Sequence, residues 1–207
     1  MKRHADRKNY TLVEIMTVIV IAALLFGIGI PAFTTMIQGS NMTVAIRQLS
    51  AKIQAARAYA VTNRCNVAVL LLETGVKDEY CYSAYRVCVV DSSNVFQEWI
   101  EDENWKNLPK GVLRASISQK ATVTSIPAAD TAAIGGSSLT SASALVFQKD
   151  GRMTHDTSEI SLRQGRYVNE SSVYTERNGN GQFISHPIEI NRYSGKVTVK
   201  PTTETDS

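Results

Sequence analysis

The chain has 207 residues but only three histidines and three cysteines, and neither set is arranged for chemistry. His4 lies near the start, while His155 and His186 stand single and apart. No Gly-x-Ser-x-Gly elbow presents a serine nucleophile, and no thiol-enzyme signature surrounds Cys65, Cys81 or Cys88. A Gly-rich phosphate loop and a Cys-x-x-Cys metal pair are also missing. These absences argue against hydrolase, phosphoryl-transfer and zinc chemistry, so the expectation is a protein that is not an enzyme and holds no cofactor or metal. Glu98, Glu101, Asp102 and Glu103 could offer oxygens to calcium. They lack the Asp/Asn alternation around a Gly, and they read as a solvated acidic face.

Charge is missing over one long stretch. No Asp, Glu, Lys or Arg occurs between Glu14 and Arg47. The run from Ile15 past Ile30 is apolar over about the 20 residues, at about 1.5 Å each, that a helix needs to cross a bilayer. Ahead of it, Lys2, Arg3, Arg7 and Lys8 outweigh Asp6. That head carries the whole net charge of +3 and leaves 18 basic against 18 acidic residues in the remainder. Basic residues before an apolar segment keep that end in the cytoplasm, which places the following domain outside the inner membrane. A cleaved secretory signal would have a shorter apolar core and an Ala-x-Ala-like site, which Pro31-Ala-Phe-Thr-Thr does not supply. An ordinary signal anchor would explain the hydrophobicity but not Glu14, since a carboxylate at the edge of such a segment is costly unless it has a partner or a role.

The stretch Tyr10-Thr-Leu-Val-Glu14, with Pro31 further on, resembles the N-terminus of type IV pilins and type II secretion pseudopilins. Counted from Tyr10, Glu14 is fifth and Pro31 twenty-second, positions where that family characteristically carries Glu and Pro. The family has Gly where this chain has Asn9. The resemblance implies that a prepilin peptidase cuts between Asn9 and Tyr10 and N-methylates Tyr10. It also implies that Glu14 pairs with a neighbouring subunit's N-terminus, and that the partners are inner-membrane lipid and other pilins or pseudopilins through the N-terminal helix. The competing reading of Glu14 is a carboxylate that snorkels to the headgroups from one turn into the helix. The implied fold is α+β and pilin-like, with a long N-terminal helix, half membrane and half amphipathic, packed on an antiparallel β-sheet domain. The implied function is a minor pilin or pseudopilin, inserted once in the inner membrane with its C-terminal domain periplasmic, and drawn into a secretion pseudopilus or a pilus.

Five segments follow: a leader over 1–9, an apolar membrane and assembly helix over 10–37, an amphipathic helix over 38–63, a β-rich domain over 64–200 and a polar tail over 201–207. Pro31 and the glycines around it predict local bending or melting of the helix. Beyond them, Ile46, Leu49, Ile53, Ala56 and Ala60 recur at steps of three and four, with Arg47, Lys52 and Arg57 on the other face. That stripe must cover a sheet or a neighbouring subunit. The stretch Ala55 to Arg64, running into Asn66-Val-Ala-Val-Leu, resembles the pseudopilin H and FimT group.

Cys65–Leu72 and Tyr80–Val90 read as two strands joined by the polar turn 73–79. A symmetric hairpin of these strands puts Cys65 opposite Cys88 and Cys81 opposite Leu72. A Cys65–Cys88 disulfide is then possible, as are buried free thiols. The Ala, Ser, Thr and Gly of 118–144 read as an extended, flexible surface loop. Pro187–Lys200 reads as a closing hairpin. On or beside it, Arg192, Lys196 and Lys200 suggest a second class of function, a DNA-binding minor pilin with nucleic acid as partner. Three charges without aromatic interleaving make a small electrostatic footprint.

Overall fold

The computed structural model describes residues 11–136 and 139–205, with side chains at 28–39 and at 205 outside that description. Asn9 and Tyr10, the residues of the expected cleavage site, therefore lie outside the described residues. The chain divides into two compact units, Met1–Ser40 and Asn41–Ser207.

One helix, α1 (Leu12–Asn63), begins in the first unit and ends in the second. Its backbone is helical through Pro31, without the melting that is one of the two expectations there. In the second unit it buries Met42, Ala45, Leu49, Ile53, Ala56 and Ala60, at the steps of three and four read from the sequence. Ile46 is only partly buried, at the edge of that stripe. Arg64 follows the helix with φ of 53°, and the Cys65 N–H returns to the Ala60 carbonyl at 3.2 Å, closing the last turn.

Twelve strands and a short helix follow among the described residues: β1 (Asn66–Leu71), β2 (Ala84–Val90), β3 (Phe96–Trp99), β4 (Lys106–Asn107), β5 (Val112–Ile117), β6 (Ala121–Thr124), α2 (Ala128–Ala132), β7 (Ser141–Phe147), β8 (Ser158–Val168), β9 (Ser171–Tyr174), β10 (Phe183–Ile190), β11 (Val197–Val199) and β12 (Thr203–Thr205). They form two antiparallel sheets. The first runs β3-β2-β1-β7-β6, with β4 also on β2. The second runs β11-β10-β8-β5, with β12 on β10 and β9 on β8. The fold is α+β.

The first sheet is buried on both faces. Val67, Val69 and Leu71 of β1 join the helix stripe, together with Ile160 and Leu162 of β8 and Ile188 and Ile190 of β10. The alternate residues Ala68, Leu70 and Leu72 join Cys88, Val123, Ile126 and Ile134 on the far side. This is why β1 is a continuous apolar run and β8, covered on one face along Ser158–Leu162, alternates.

Two expectations need correction. Residues 118–144 are not an extended loop: β6 pairs with β7, α2 follows, and Val123, Thr131 and Ile134 are buried beneath. Trp99 Nε1 donates to the Asp130 carboxylate at 2.7 Å and Trp105 Nε1 to the Asp130 carbonyl at 3.1 Å, fastening α2 to the aromatic residues beside β3. Within the polar tail, β12 pairs with Phe183–Ser185 of β10. The second correction is the register of β1 and β2. Residues 77–84 coil into two tight turns, with Tyr80 donating to the Lys77 carbonyl at 2.8 Å and Ala84 to the Tyr80 carbonyl at 3.0 Å. The strand starts late, and Cys88 lies opposite Ala68.

Candidate assembly site

The first turn of α1 holds the residue that marks the sequence. The Glu14 N–H donates to Thr11 Oγ1 at 3.2 Å, and the Thr11 N–H donates to the Glu14 carboxylate at 3.4 Å. This reciprocal pair is a capping box, in which two amide groups that the helix leaves without partners are satisfied by side chains three residues apart. A carboxylate in the first turn also faces the positive end of the helix dipole. Thr11-x-x-Glu14 spells this pattern, yet the sequence reading assigned Glu14 only to lipid headgroups or to a neighbouring subunit. The cap gives Glu14 a local role, and one oxygen of its carboxylate makes no hydrogen bond among the described residues.

After the cap, α1 is apolar on every side. Leu12, Val13, Ile15, Met16, Val18, Ile19, Val20, Ile21, Leu24, Leu25 and Phe26 are all exposed, from 47% at Ile15 to 75% at Leu12. Among the described residues no helix is long and apolar enough to cross a membrane. The apolar sequence continues beyond Gly27 into residues whose side chains lie outside the description, Pro31 among them.

In the second unit the end of α1 is held by one arginine. Arg57 Nε donates to the Gly151 carbonyl at 3.1 Å, between β7 and β8. Gly195, between β10 and β11, closes over the same side chain: a Cβ there would lie 2.3 Å from Arg57 Cδ and 2.8 Å from the Gly151 oxygen. Both glycines have positive φ, 81° and 58°. Sequence reading placed Arg57 simply on the polar face, because nothing local to the helix announces two distant turns.

The thiols are free. Cys65 packs against the helix-side core and Cys88 sits in the cluster across the first sheet, so the sheet itself separates the two. This overturns the hairpin register that would have paired them. Burial pushes the Cys88 thiol up to about 12, and also raises Cys65 and Cys81.

Two of the three candidate DNA contacts are engaged within the domain. Arg192 forms an ion pair with Asp156, and Lys200 lies 2.5 Å from Glu189 and 3.5 Å from Glu159. Lys196 is exposed beside β11. In the acidic cluster, Glu103 pairs with Lys52 and its carbonyl accepts from Arg86 at 2.9 Å, while Glu98, Glu101 and Asp102 are exposed. Among the described residues no group of acidic, cysteine or histidine side chains could hold a metal.

No family profile matches the chain, and no curated protein matches it. Solved structures similar to it belong to minor pilins and minor pseudopilins. The type IV minor pilin FimU of Pseudomonas aeruginosa is 14% identical, over 77% of this chain and 87% of that one, with a TM-score of 0.43. The minor pseudopilin EpsH from the type 2 secretion system of Vibrio cholerae is 11% identical, over 76% of this chain and 94% of that one, also with a TM-score of 0.43.

Proposed function

We propose that this chain is a minor pilin or pseudopilin, a structural subunit of a type II secretion pseudopilus or type IV pilus assembled from the inner membrane. The observation that carries the reading is the change of character along α1. From Leu12 to Phe26 the helix exposes apolar side chains all round, whereas from Met42 to Ala60 it buries one stripe against β-strands. A helix apolar on all sides belongs in lipid or among other apolar helices. The basic head and the uncharged run to Arg47 support a single pass with the β-rich domain on the periplasmic side. In this reading the peptidase cuts between Asn9 and Tyr10 and methylates Tyr10. The new amine and the Glu14 carboxylate then need counter-charges in lipid, and neighbouring subunits supply them to each other.

Replacing Glu14 tests this. Incorporation of Glu14→Ala into fibres is expected to fall at least tenfold while the chain still inserts in the membrane; fibres carrying the variant at the normal level would refute the role of Glu14. Mass measurement of the mature N-terminus checks the processing step, which requires a chain starting at methylated Tyr10. The nucleic-acid alternative has less support, because Arg192 and Lys200 already have carboxylate partners.

A further inference from the structure

Two Asn-Gly steps follow one another in the turn between β9 and β10, Asn178-Gly179 and Asn180-Gly181, and the chain has no others. In such a step the side-chain amide is open to attack by the next backbone nitrogen, because glycine has no Cβ to shield that nitrogen or to restrict the rotation that brings it up. The two steps share a sequence, but the fold holds them in different ways.

The Asn178 side chain is held by three hydrogen bonds. Its Oδ1 accepts from the Asn180 N–H and from the Gln182 N–H, both at 2.9 Å, and its Nδ2 donates to Gln182 Oε1 at 3.1 Å. This is an Asx turn, which fixes the carboxamide against its own backbone. Asn180 is exposed at the tip of the turn, and its carboxamide makes no hydrogen bond among the described residues. Gly179 and Gly181 are exposed on either side of it, with open space where a Cβ would stand. Attack on Asn180 requires only that the Gly181 N–H leave the Asn178 carbonyl, a single bond of 3.0 Å. Attack on Asn178 requires its three side-chain bonds to break.

We infer that Asn180 is a site of slow self-modification, at which the side-chain amide is lost to water through a cyclic imide closed by the Gly181 nitrogen. Hydroxide takes the proton of that nitrogen, which attacks Asn180 Cγ. A new Cγ–N bond forms, the Cγ–Nδ2 bond breaks, and Nδ2 leaves as ammonia after taking a proton from water, which restores the hydroxide. Water then opens the five-membered ring at either carbonyl. One opening gives aspartate; the other leaves the chain running through Cγ, an isoaspartate with one extra backbone carbon. One water is consumed and one ammonia released, with no change of oxidation state.

The product bears on Arg177. Its guanidinium lies 4.1 Å from the ring centre of Phe183, on which Arg163 also rests at 5.4 Å, and it donates to the Gly181 carbonyl at 3.0 Å. It has no carboxylate within ion-pair distance among the described residues. A carboxylate formed at position 180 brings a negative charge into the turn that Arg177 closes. The extra carbon of isoaspartate also shifts the Gly181 carbonyl, and with it the bond from the Asn178 N–H to the Gln182 carbonyl, 2.9 Å long. The turn thus records the time since folding. No partner subunit takes part, so this chemistry goes beyond the fibre reading and stands or falls without it.

The experiment is a time course on the full-length chain in detergent micelles at mildly alkaline pH. Trypsin releases Asn178–Arg192 as one peptide, since no lysine or arginine lies between Arg177 and Arg192. Fragmentation mass spectrometry assigns each change to one asparagine, and labelling by isoaspartyl methyltransferase counts the isoaspartate. Asn180 is expected to convert at least about tenfold faster than Asn178, where more hydrogen bonds must break, with isoaspartate as the main product and a rate that climbs with pH. In urea, where the turn is lost, the two rates should converge. Asn180→Gln should remove the label from this peptide, because the longer side chain must close a larger ring. An Asn180 amide that survives in the folded chain over the time in which urea destroys it would overturn the inference. Conversion of Asn178 as fast as Asn180 in the folded chain would do the same, as would label at the wild-type level in the Asn180→Gln peptide.

Discussion

The two ends of α1 are built from the same kind of residue and do opposite things with it. Near the N-terminus every apolar side chain larger than alanine from Leu12 to Phe26 stays exposed, whereas beyond Asn41 one stripe, with Met42, Leu49 and Ile53, is covered and the exposed positions include Arg47, Gln48 and Gln54 beside Val44 and Val61. The difference lies in charge placement. From Ile15 to Phe26 only Thr17 is polar, so this part of the helix has no charged face to turn toward water. Once charges return at Arg47, spacing by three and four selects one face for the sheets. The helix therefore changes what it covers without changing its backbone.

The sharpest way to break this contrast is to truncate the same residue type at both ends. Ile53 is fully buried, and Ile53→Ala is expected to lower the unfolding free energy of the β-rich unit by about 2–5 kcal/mol. Ile19→Ala should leave that transition within about 0.5 kcal/mol of wild type, since Ile19 is 60% exposed. Paired urea melts in detergent read both. Equal losses would show that the two ends are not distinct.

Gly195→Ala probes how the buried end is fixed. The added methyl meets Arg57 at a backbone angle that disfavours any side chain, and a loss of about 1–3 kcal/mol is expected from the same melts. Arg57→Ala removes the nearer obstacle and leaves the Gly151 carbonyl, so Gly195→Ala should cost measurably less in that background.

At the exposed end, Glu14 has a cap role and a charge, and glutamine separates them. Gln at this position still caps, so Glu14→Gln should keep the start of the helix, while Glu14→Ala and Thr11→Ala each cost about 0.5–2 kcal/mol of local helix stability, read by amide exchange in the first turns. If the carboxylate also meets a neighbour's amine, Glu14→Gln fails in the fibre despite an intact cap. Normal assembly of Glu14→Gln would reduce Glu14 to a capping residue.

The smallest effect concerns pH and belongs to the second unit. Burial holds the His155 imidazole below the ordinary histidine value, opposed by hydrogen bonds to the Asp156 and Ala144 carbonyls. The folded state binds the proton less readily than the unfolded chain. Stability from the neutral ring is therefore complete above about pH 6.5 and is lost as pH falls below it. Thermal midpoints from pH 8 to 5 should decline, and His155→Gln should flatten that decline. Glu73 titrates lower: burial raises it, but hydrogen bonds from Lys120 and Ser143 and the charge of Arg114 outweigh that and depress it. Its contribution is present above the ordinary carboxylate range and is lost as pH falls through its lowered value.

Much of this was legible in the chain. Ile46 to Ala60 announced a helix stripe by period, and the closing hairpin was written in Pro187 to Lys200. The unread parts share a cause. In 121–139 a few apolar residues, Val123, Ile126 and Ile134, carry the burial at no regular spacing, and two tryptophans from a distant segment complete it. The β1–β2 register was misread because turn residues 80–83 look like strand, Tyr82 even taking φ of 54°. Glu14 was noticed as an anomaly in lipid, although Thr11 beside it explains part of its presence. The Arg163–Arg177 pair meets only through Phe183, a contact that no sequence spacing encodes.

The lock at Arg57 also has a mechanical meaning. Gly151 follows β7 of the first sheet and Gly195 lies in the turn between β10 and β11 of the second, and the side chain of Arg57 meets both. A pull along the helix axis therefore reaches both sheets at Arg57 as well as through the buried stripe, loading them in parallel rather than peeling them one strand at a time. Traction on the chain would be shared between Arg57 and the covered stripe that begins at Met42.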